Sequence, residues 1–421
     1  MNGQPFVLVE SNTTGSGRLF CAAARRLGLR PVVLARDPAR YPYLAEDAVD
    51  GRRVDTASID AVLAAIEALG APVAGVTSSS EYFIATAGEA ARRLGLPHVD
   101  PDAVRGCRDK ARQRAVLAAA GVPVPRFAPA ATVAAAVAAA GRIGGPVVCK
   151  PVAGSGSVGV RLCTSPAEVR RAAAAVLEGD PAALGLPPQP AIVVERYVAG
   201  TEYSVEIFDD AVVAVTRKYL GAEPHFVEVG HDVPAALGPG DAERIGAVAL
   251  RAVRALGLRW SPAHVELRDG PAGVSVIEVN PRLAGGMIPR AVQAATGIDL
   301  IAATVARAAG RRADPAAAGD ATMPGPAGAA AVRFLVADRP GRLHAVDGVE
   351  AARRLPGVVD VGVLRQPGSE VALTHSFQDR LAYVIAGGPE PAVAGRRANA
   401  ALAALQVSIA PAPDAVPAWR R

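Results

Sequence analysis

The stretch H-V-E-L-R-D-G-P-A-G-V-S-V-I-E-V-N-P-R, residues 264–282, decides the fold. Two apolar, β-branched runs flank the turn-forming R-D-G-P-A-G, so they read as the arms of an antiparallel hairpin. Strand alternation puts Glu266 on one face with His264, and Glu278 on one face with Asn280. Antiparallel pairing brings Glu266 close to Glu278, and Arg282 follows just past Pro281. Two carboxylates and an amide oxygen are hard oxygen donors, a set that suits Mg²⁺ bound together with a polyphosphate. Two buried carboxylates repel each other, and a cation relieves that cost. The alternative is two glutamates on a solvent face, and the apolar VSVIEV around Glu278 fits it poorly.

Upstream, K-P-V-A-G-S-G-S-V-G-V (150–160) reads as the end of a strand followed by a glycine-rich loop. Gly154, Gly156 and Gly159, with Ser155 and Ser157 between them, can lay backbone N–H groups over phosphates, and Lys150 can reach the same anion. A plain hairpin with a long turn is the alternative. Lys110 lies in RDKARQR, in the first turns of a helix expected near 102–120, where on composition alone it belongs to a solvated basic face. Between these, V-V-E-R-Y-V-A-G-T-E-Y-S-V-E-I-F (193–208) suggests strand, turn and strand, with Glu195 and Glu202 near the bend. T-R-K-Y-L-G carries Lys218, and H-F-V-E-V-G-H-D-V-P-A places Glu228 and His231 in or beside a loop.

Composition sharpens this reading. Of 45 Lys and Arg residues, only Lys110, Lys150 and Lys218 are lysine. A compact ammonium on a flexible stem is not interchangeable with a guanidinium, so the surviving lysines are candidates for specific work. Asparagine is nearly as scarce, and Asn280 is one of its few occurrences.

The chain has 421 residues, enough for two to three domains at about 150 residues each. It is 51% hydrophobic, 20% charged and 4% aromatic, a composition that excludes disorder as the main state and leaves Ala, Val and Leu to fill the core. Net charge is +5 without a long Lys/Arg run, which argues against a dedicated nucleic-acid binder. No apolar stretch reaches the ~18 residues of a membrane span. No basic leader precedes PFVLVE, so we expect no signal peptide and a cytoplasmic protein. Four scattered cysteines lack metal-ligand spacing and read as small buried residues.

The first hundred residues alternate strand and helix: strands at 5–10, 31–35 and 72–76, helices near 18–28, 58–69 and 82–94. That order argues an open parallel sheet. The loop SNTTGSGRLF (11–20) lacks the G-x-G-x-x-G/A spacing, because Phe20 stands at the third glycine position, and this makes a nicotinamide oxidoreductase a poor reading. Further helices are expected near 166–178, 241–256 and 288–309, a solvent loop at 178–190, a linker at 313–328, and an α/β pattern in the last ninety residues.

Taken together, these segments resemble the ATP-grasp superfamily, and within it the amino-acid (dipeptide) ligases. The order of motifs carries the resemblance: a lysine before the central domain, a lysine ahead of a glycine-rich loop, E-R-Y-V-x-G-x-E-Y, G-H-D-x-P, and E…E-x-N-x-R. It covers roughly residues 5 to 310, and the last domain more weakly. It implies an α/β protein of ATP-grasp architecture. An N-terminal open parallel α/β domain (1–105) precedes an ATP-grasp domain (106–312) with a flap lobe (125–195) and a metal lobe (196–312), both built on antiparallel sheets. A linker and a small C-terminal α/β domain (329–421) follow.

The resemblance also implies roles. Lys110 and Lys150 match lysines that contact ATP phosphates, and Ser155, Gly156 and Ser157 match the flap. Glu195 and Val198 match hinge positions facing adenine, and Glu202 the carboxylate that holds the ribose. Glu266, Glu278 and Asn280 match ligands of two Mg²⁺ ions, with Mn²⁺ an alternative. Arg282 matches the arginine that stabilises the transferring phosphoryl group. Lys218 and His231 are further catalytic candidates, and Glu228 with His231 sits where dipeptide ligases recognise an amino acid. Gly285 and Gly286 lie among residues expected to shape the substrate pocket or to form a helix-leading turn. The implied reaction joins a small-molecule carboxylate to an amine with release of ADP and phosphate, and a homodimer follows by analogy only. Alternatives are a carboxylase or purine-pathway enzyme of the same fold, and a non-catalytic nucleotide-binding protein.

Overall fold

The computed structural model describes residues 3–12, 16–179, 190–258, 260, 262–311 and 325–411. Most of the expected solvent loop at 178–190 and of the linker at 313–328 lies outside them, as do residues 13–15 of the N-terminal loop. The chain forms two compact units. The first comprises residues 1–124, 203–215 and 237–325; the second comprises 125–202, 216–236 and 326–421.

In the first unit, Asp50–Arg53, Arg30–Ala35, Pro5–Val9 and Gly75–Thr77 form a parallel sheet in that order. Pro5–Val9 and the buried part of Arg30–Ala35 are apolar because helices cover both faces. Order reverses beside Pro5–Val9, the switch point where open α/β sheets gather ligand-binding residues at their carboxyl ends. Asp50–Arg53 was not expected; it is an edge strand reading D-G-R-R, and charge suits an edge.

The expected helix near 102–120 is two helices, Pro101–Arg108 and Lys110–Ala119. Asp109 takes an extended conformation between them, and its carboxylate caps the second by accepting from the Arg112 N–H. Lys110 is therefore the first helical residue of the second helix. The helix expected near 288–309 is likewise split into Ile288–Thr296 and Leu300–Ala308, because Gly297 turns left-handed (φ +81) and Asp299 caps the new start. The hairpin of Ala263–Gly270 and Gly273–Asn280 forms as expected and continues onto Thr201–Phe208.

In the second unit, an antiparallel sheet runs Phe127–Ala130, Ile192–Arg196, Val147–Pro151, Arg161–Cys163. Helices Val133–Ile143 and Pro166–Leu177 pack their alanine and valine faces on it. A second antiparallel run joins the end of Ala211–Leu220 to Glu228–Val233, Ala329–Val336, Arg380–Gly388 and Val358–Val363. Glu228 and His231 thus lie on a strand, with Glu228 at its start beside the preceding loop. All four cysteines are buried free thiols. No helix among the described residues is long and apolar enough to cross a membrane.

Candidate active site

In the first unit, the hairpin register places Glu266 directly opposite Glu278 and His264 opposite Asn280. A bulge follows at once, so that Leu267 faces Val276. Cations surround the two carboxylates. Lys110 Nζ lies 3.1 Å from Glu278 Oε1, and His264 Nε2 lies 3.1 Å from Glu266 Oε1. The other ring nitrogen of His264 lies 3.0 Å from Glu206 on the neighbouring strand. Burial favours the neutral imidazole, but the Glu206 and Glu266 carboxylates outweigh it and raise the His264 pKa to about 9. Arg282 donates to Glu81 at 2.9 and 2.5 Å. Burial works against charge on Glu81, yet the neighbouring guanidinium holds its pKa below the usual value.

The strand between the candidate ligands is fixed from outside the hairpin. Gln113 is buried; its amide nitrogen donates to the Val279 carbonyl at 2.8 Å and its oxygen accepts from the Val279 N–H at 3.0 Å. Residue 279 lies between Glu278 and Asn280, so one side chain sets the backbone that carries both. The Cys107 thiol donates to the same carbonyl at 3.0 Å.

Among the described residues, no group of three or more His, Cys, Asp or Glu is placed to hold a metal by itself. The donor chemistry of Glu266, Glu278 and Asn280 still fits Mg²⁺. Two facing carboxylates and one amide form a partial oxygen set, the kind a hard cation completes with water and substrate phosphates. Gly285 and Gly286 form the turn leading into Ile288–Thr296, and the positive φ of Gly286 (+58) suits glycine.

In the second unit, Lys150 lies one residue before the end of Val147–Pro151, buried and paired with Glu195 at 2.6 Å. Lys218 bridges Glu202 (3.1 Å) and Glu228 (2.6 Å). His231 Nε2 lies 3.6 Å from Glu228. Burial would raise the Glu228 pKa, but Lys218, Arg380 and His231 hold it well below the carboxylate range. The glycine loop follows Lys150: Gly154, Gly156 and Gly159 all take positive φ, and Ser157 joins them at φ 64. Val198 lies partly buried just past Ile192–Arg196.

Sequence reasoning missed Glu81, Gln113, Glu206 and Arg380. Glu206 carries a readable signal, a charge inside the apolar run YSVEIF. Glu81 follows the carboxyl end of a strand at the switch point, where the topology rule could have found it.

Known proteins share this organisation. Residues 21–98 match the ATP-grasp N-terminal domain, 143–290 the ATP-grasp domain, and 333–410 the L-amino acid ligase C-terminal domain 2. The y4rH protein of Sinorhizobium fredii is 40% identical over 97% of this chain and 84% of its own length. Carnosine synthase 1 of Gallus gallus is 30% identical over 68% of this chain, which spans only 33% of that larger protein. The crystal structure of an L-amino acid ligase from Bacillus licheniformis superposes with a TM-score of 0.78 at 20% identity, covering 97% of this chain and all of that one, and so shares the fold. The chain belongs to the ATP-grasp superfamily, among its ADP-forming carboxylate–amine ligases.

Proposed function

We propose that this enzyme joins the carboxylate of a small acid or amino acid to the amine of an amino acid, through an acyl phosphate, at the expense of ATP. The observation that carries the reading is the Glu266–Glu278 pair in register on one hairpin, with Asn280 and Arg282 following and Lys110 alongside. Glu266, Glu278 and Asn280 would hold the Mg²⁺, one or two ions, that offsets the negative charge of the triphosphate.

The other roles belong to protein groups. Lys150 and Lys110 bind phosphate oxygens, and the Ser155–Gly156–Ser157 loop covers them. Glu195, Val198 and Glu202 hold the nucleoside. A substrate carboxylate oxygen attacks the γ-phosphorus, the bond to the β-phosphate oxygen breaks, and ADP leaves. The amine then attacks the acyl carbon. Arg282 stabilises the tetrahedral oxyanion, phosphate leaves with the former carboxylate oxygen, and the amine loses a proton. Glu228 and His231 position the amino-acid substrate, aided by Lys218 and by the turn at Gly285 and Gly286. Covering the acyl phosphate keeps water from hydrolysing it.

The test is release of ADP and phosphate from ATP and Mg²⁺ with pooled amino acids, then with subsets, and mass spectrometry of the productive pool. Release that needs particular amino acids, with an amide product, supports the reading. AMP and pyrophosphate would contradict it.

A further inference from the structure

The glycine loop of the second unit is held by a part of the chain far away in sequence. The Phe377 N–H donates to the Gly156 carbonyl at 3.1 Å. The Phe377 ring lies so close that a Cβ on Gly156 would come within 2.1 Å of a ring carbon. Next to it, Ser157 keeps a left-handed φ of 64 while its hydroxyl donates to the Phe226 carbonyl at 2.8 Å.

Phe377 opens the short helical turn Phe377–Asp379, whose shape is set from within. The Asp379 carboxylate accepts from the N–H groups of Thr374 and His375 at 2.8 Å each and from the Thr374 hydroxyl at 2.6 Å. The Ser376 hydroxyl accepts from the Gln378 N–H at 3.2 Å, and both Ser376 and Asp379 are buried. Arg380 follows directly. It donates to the Glu228 carboxylate at 2.7 Å and to the Glu228 carbonyl at 3.1 Å, with its guanidinium 4.0 Å from the Phe334 ring centre. One stiff turn therefore touches the glycine loop with Phe377 and the Glu228 carboxylate with Arg380.

We propose that the Thr374–Arg380 turn is a positioning element of the ligase site: Phe377 sets the loop that covers the phosphates, and Arg380 sets the Glu228 carboxylate for the amino-acid substrate. The proposal rests on the ligase reading of that loop and of Glu228. A loop with glycine at 154, 156 and 159 loses much conformational freedom when it orders. Anchoring it at Gly156 beforehand lowers the cost of closing over ATP, which is preorganisation. A guanidinium fork gripping both the carboxylate and the carbonyl of Glu228 limits the rotation of that side chain.

The test uses the full chain with Phe377→Ala, Phe377→Tyr, Arg380→Ala and Arg380→Lys. Hydrogen exchange is followed in peptides covering 152–160, with the buried strand at 5–9 as the internal control. Phe377→Ala is expected to speed exchange in the loop by about 5- to 30-fold, as loss of about 1–2 kcal/mol of local stabilisation would, while strand 5–9 stays as in wild type. KM for ATP rises by a similar factor, with kcat changing less, and Phe377→Tyr restores both. Arg380→Ala raises KM for the amino-acid substrate and leaves loop exchange unchanged; Arg380→Lys recovers part of the loss. Loop exchange and ATP KM at wild-type values in Phe377→Ala would overturn the proposal, and so would acceleration spread equally over loop and strand. If the wild-type chain forms no amide, the ligase reading fails, and loop exchange with ATP-binding calorimetry still decides the role of Phe377.

Discussion

The hairpin carboxylates and the Glu228 cluster are both acidic centres surrounded by cations, but they are assembled in opposite ways. Glu266, Glu278 and Asn280 sit on two adjacent strands joined by a tight turn, and the pleat alone puts them together. Glu228 gains Lys218 from the paired neighbouring strand and Arg380 from 152 residues further along. The first centre is a local pattern braced from a distance by Gln113. The second exists only after the chain has folded. Local patterning thus specifies which side chains share a face, while long-range contacts specify how rigidly a site is held.

The largest expected effect breaks the local centre. Glu278→Gln keeps volume and removes the charge of a proposed metal ligand, so turnover should fall by about 10²–10³-fold, the scale for losing one preorganised electrostatic group. The thermal transition should be kept, and unchanged turnover would remove the hairpin from the chemistry. Lys150→Arg tests whether an ammonium is required. Lys150 is buried against Glu195 at 2.6 Å, and a planar guanidinium replaces that point charge poorly. Steady-state assays should show a loss of about 10²-fold, and wild-type activity would end the argument from lysine scarcity.

Gln113→Leu asks how much the brace contributes. Groups that orient metal ligands contribute about 10–100-fold, so Mg²⁺ titration of nucleotide binding should shift by that factor. A shift confined to stability would make Gln113 structural only.

The smallest effect concerns pH. The folded Glu228 pKa is depressed, so its contribution to stability is complete above the unfolded value of about 4.3 and is lost as pH falls through the folded value. The difference in urea midpoint between wild type and Glu228→Gln should therefore be constant from pH 8 to 5 and shrink below that. A difference that persists undiminished through pH 3 would contradict the ion-pair account.

The residues that were legible in the sequence share a physical reason. Glu266 faces Glu278 because strand period and hairpin turn fix register within one short stretch. Lys150 stood out because lysine is scarce. The strand bearing Glu228 and His231 was not resolved from its flanking loop, because H-F-V-E-V-G-H-D-V-P mixes glycine, proline and buried charge, and its pairing partners are remote. Phe127–Ala130, reading F-A-P-A, was missed since proline masks a strand that lies at a sheet edge. The break at Asp109 follows from capping chemistry that a helical window averages away. Arg380 had no signal at all, because in a chain whose basic residues are nearly all arginine, one more arginine carries no information.

The central claim is that a carboxylate is activated as an acyl phosphate, and oxygen labelling tests it most directly. With the accepted acid carrying ¹⁸O in its carboxylate, each turnover should transfer one ¹⁸O into inorganic phosphate and release unlabelled ADP with the amide. Label in AMP would mean adenylation, and unlabelled phosphate would mean simple hydrolysis; either result would contradict the account.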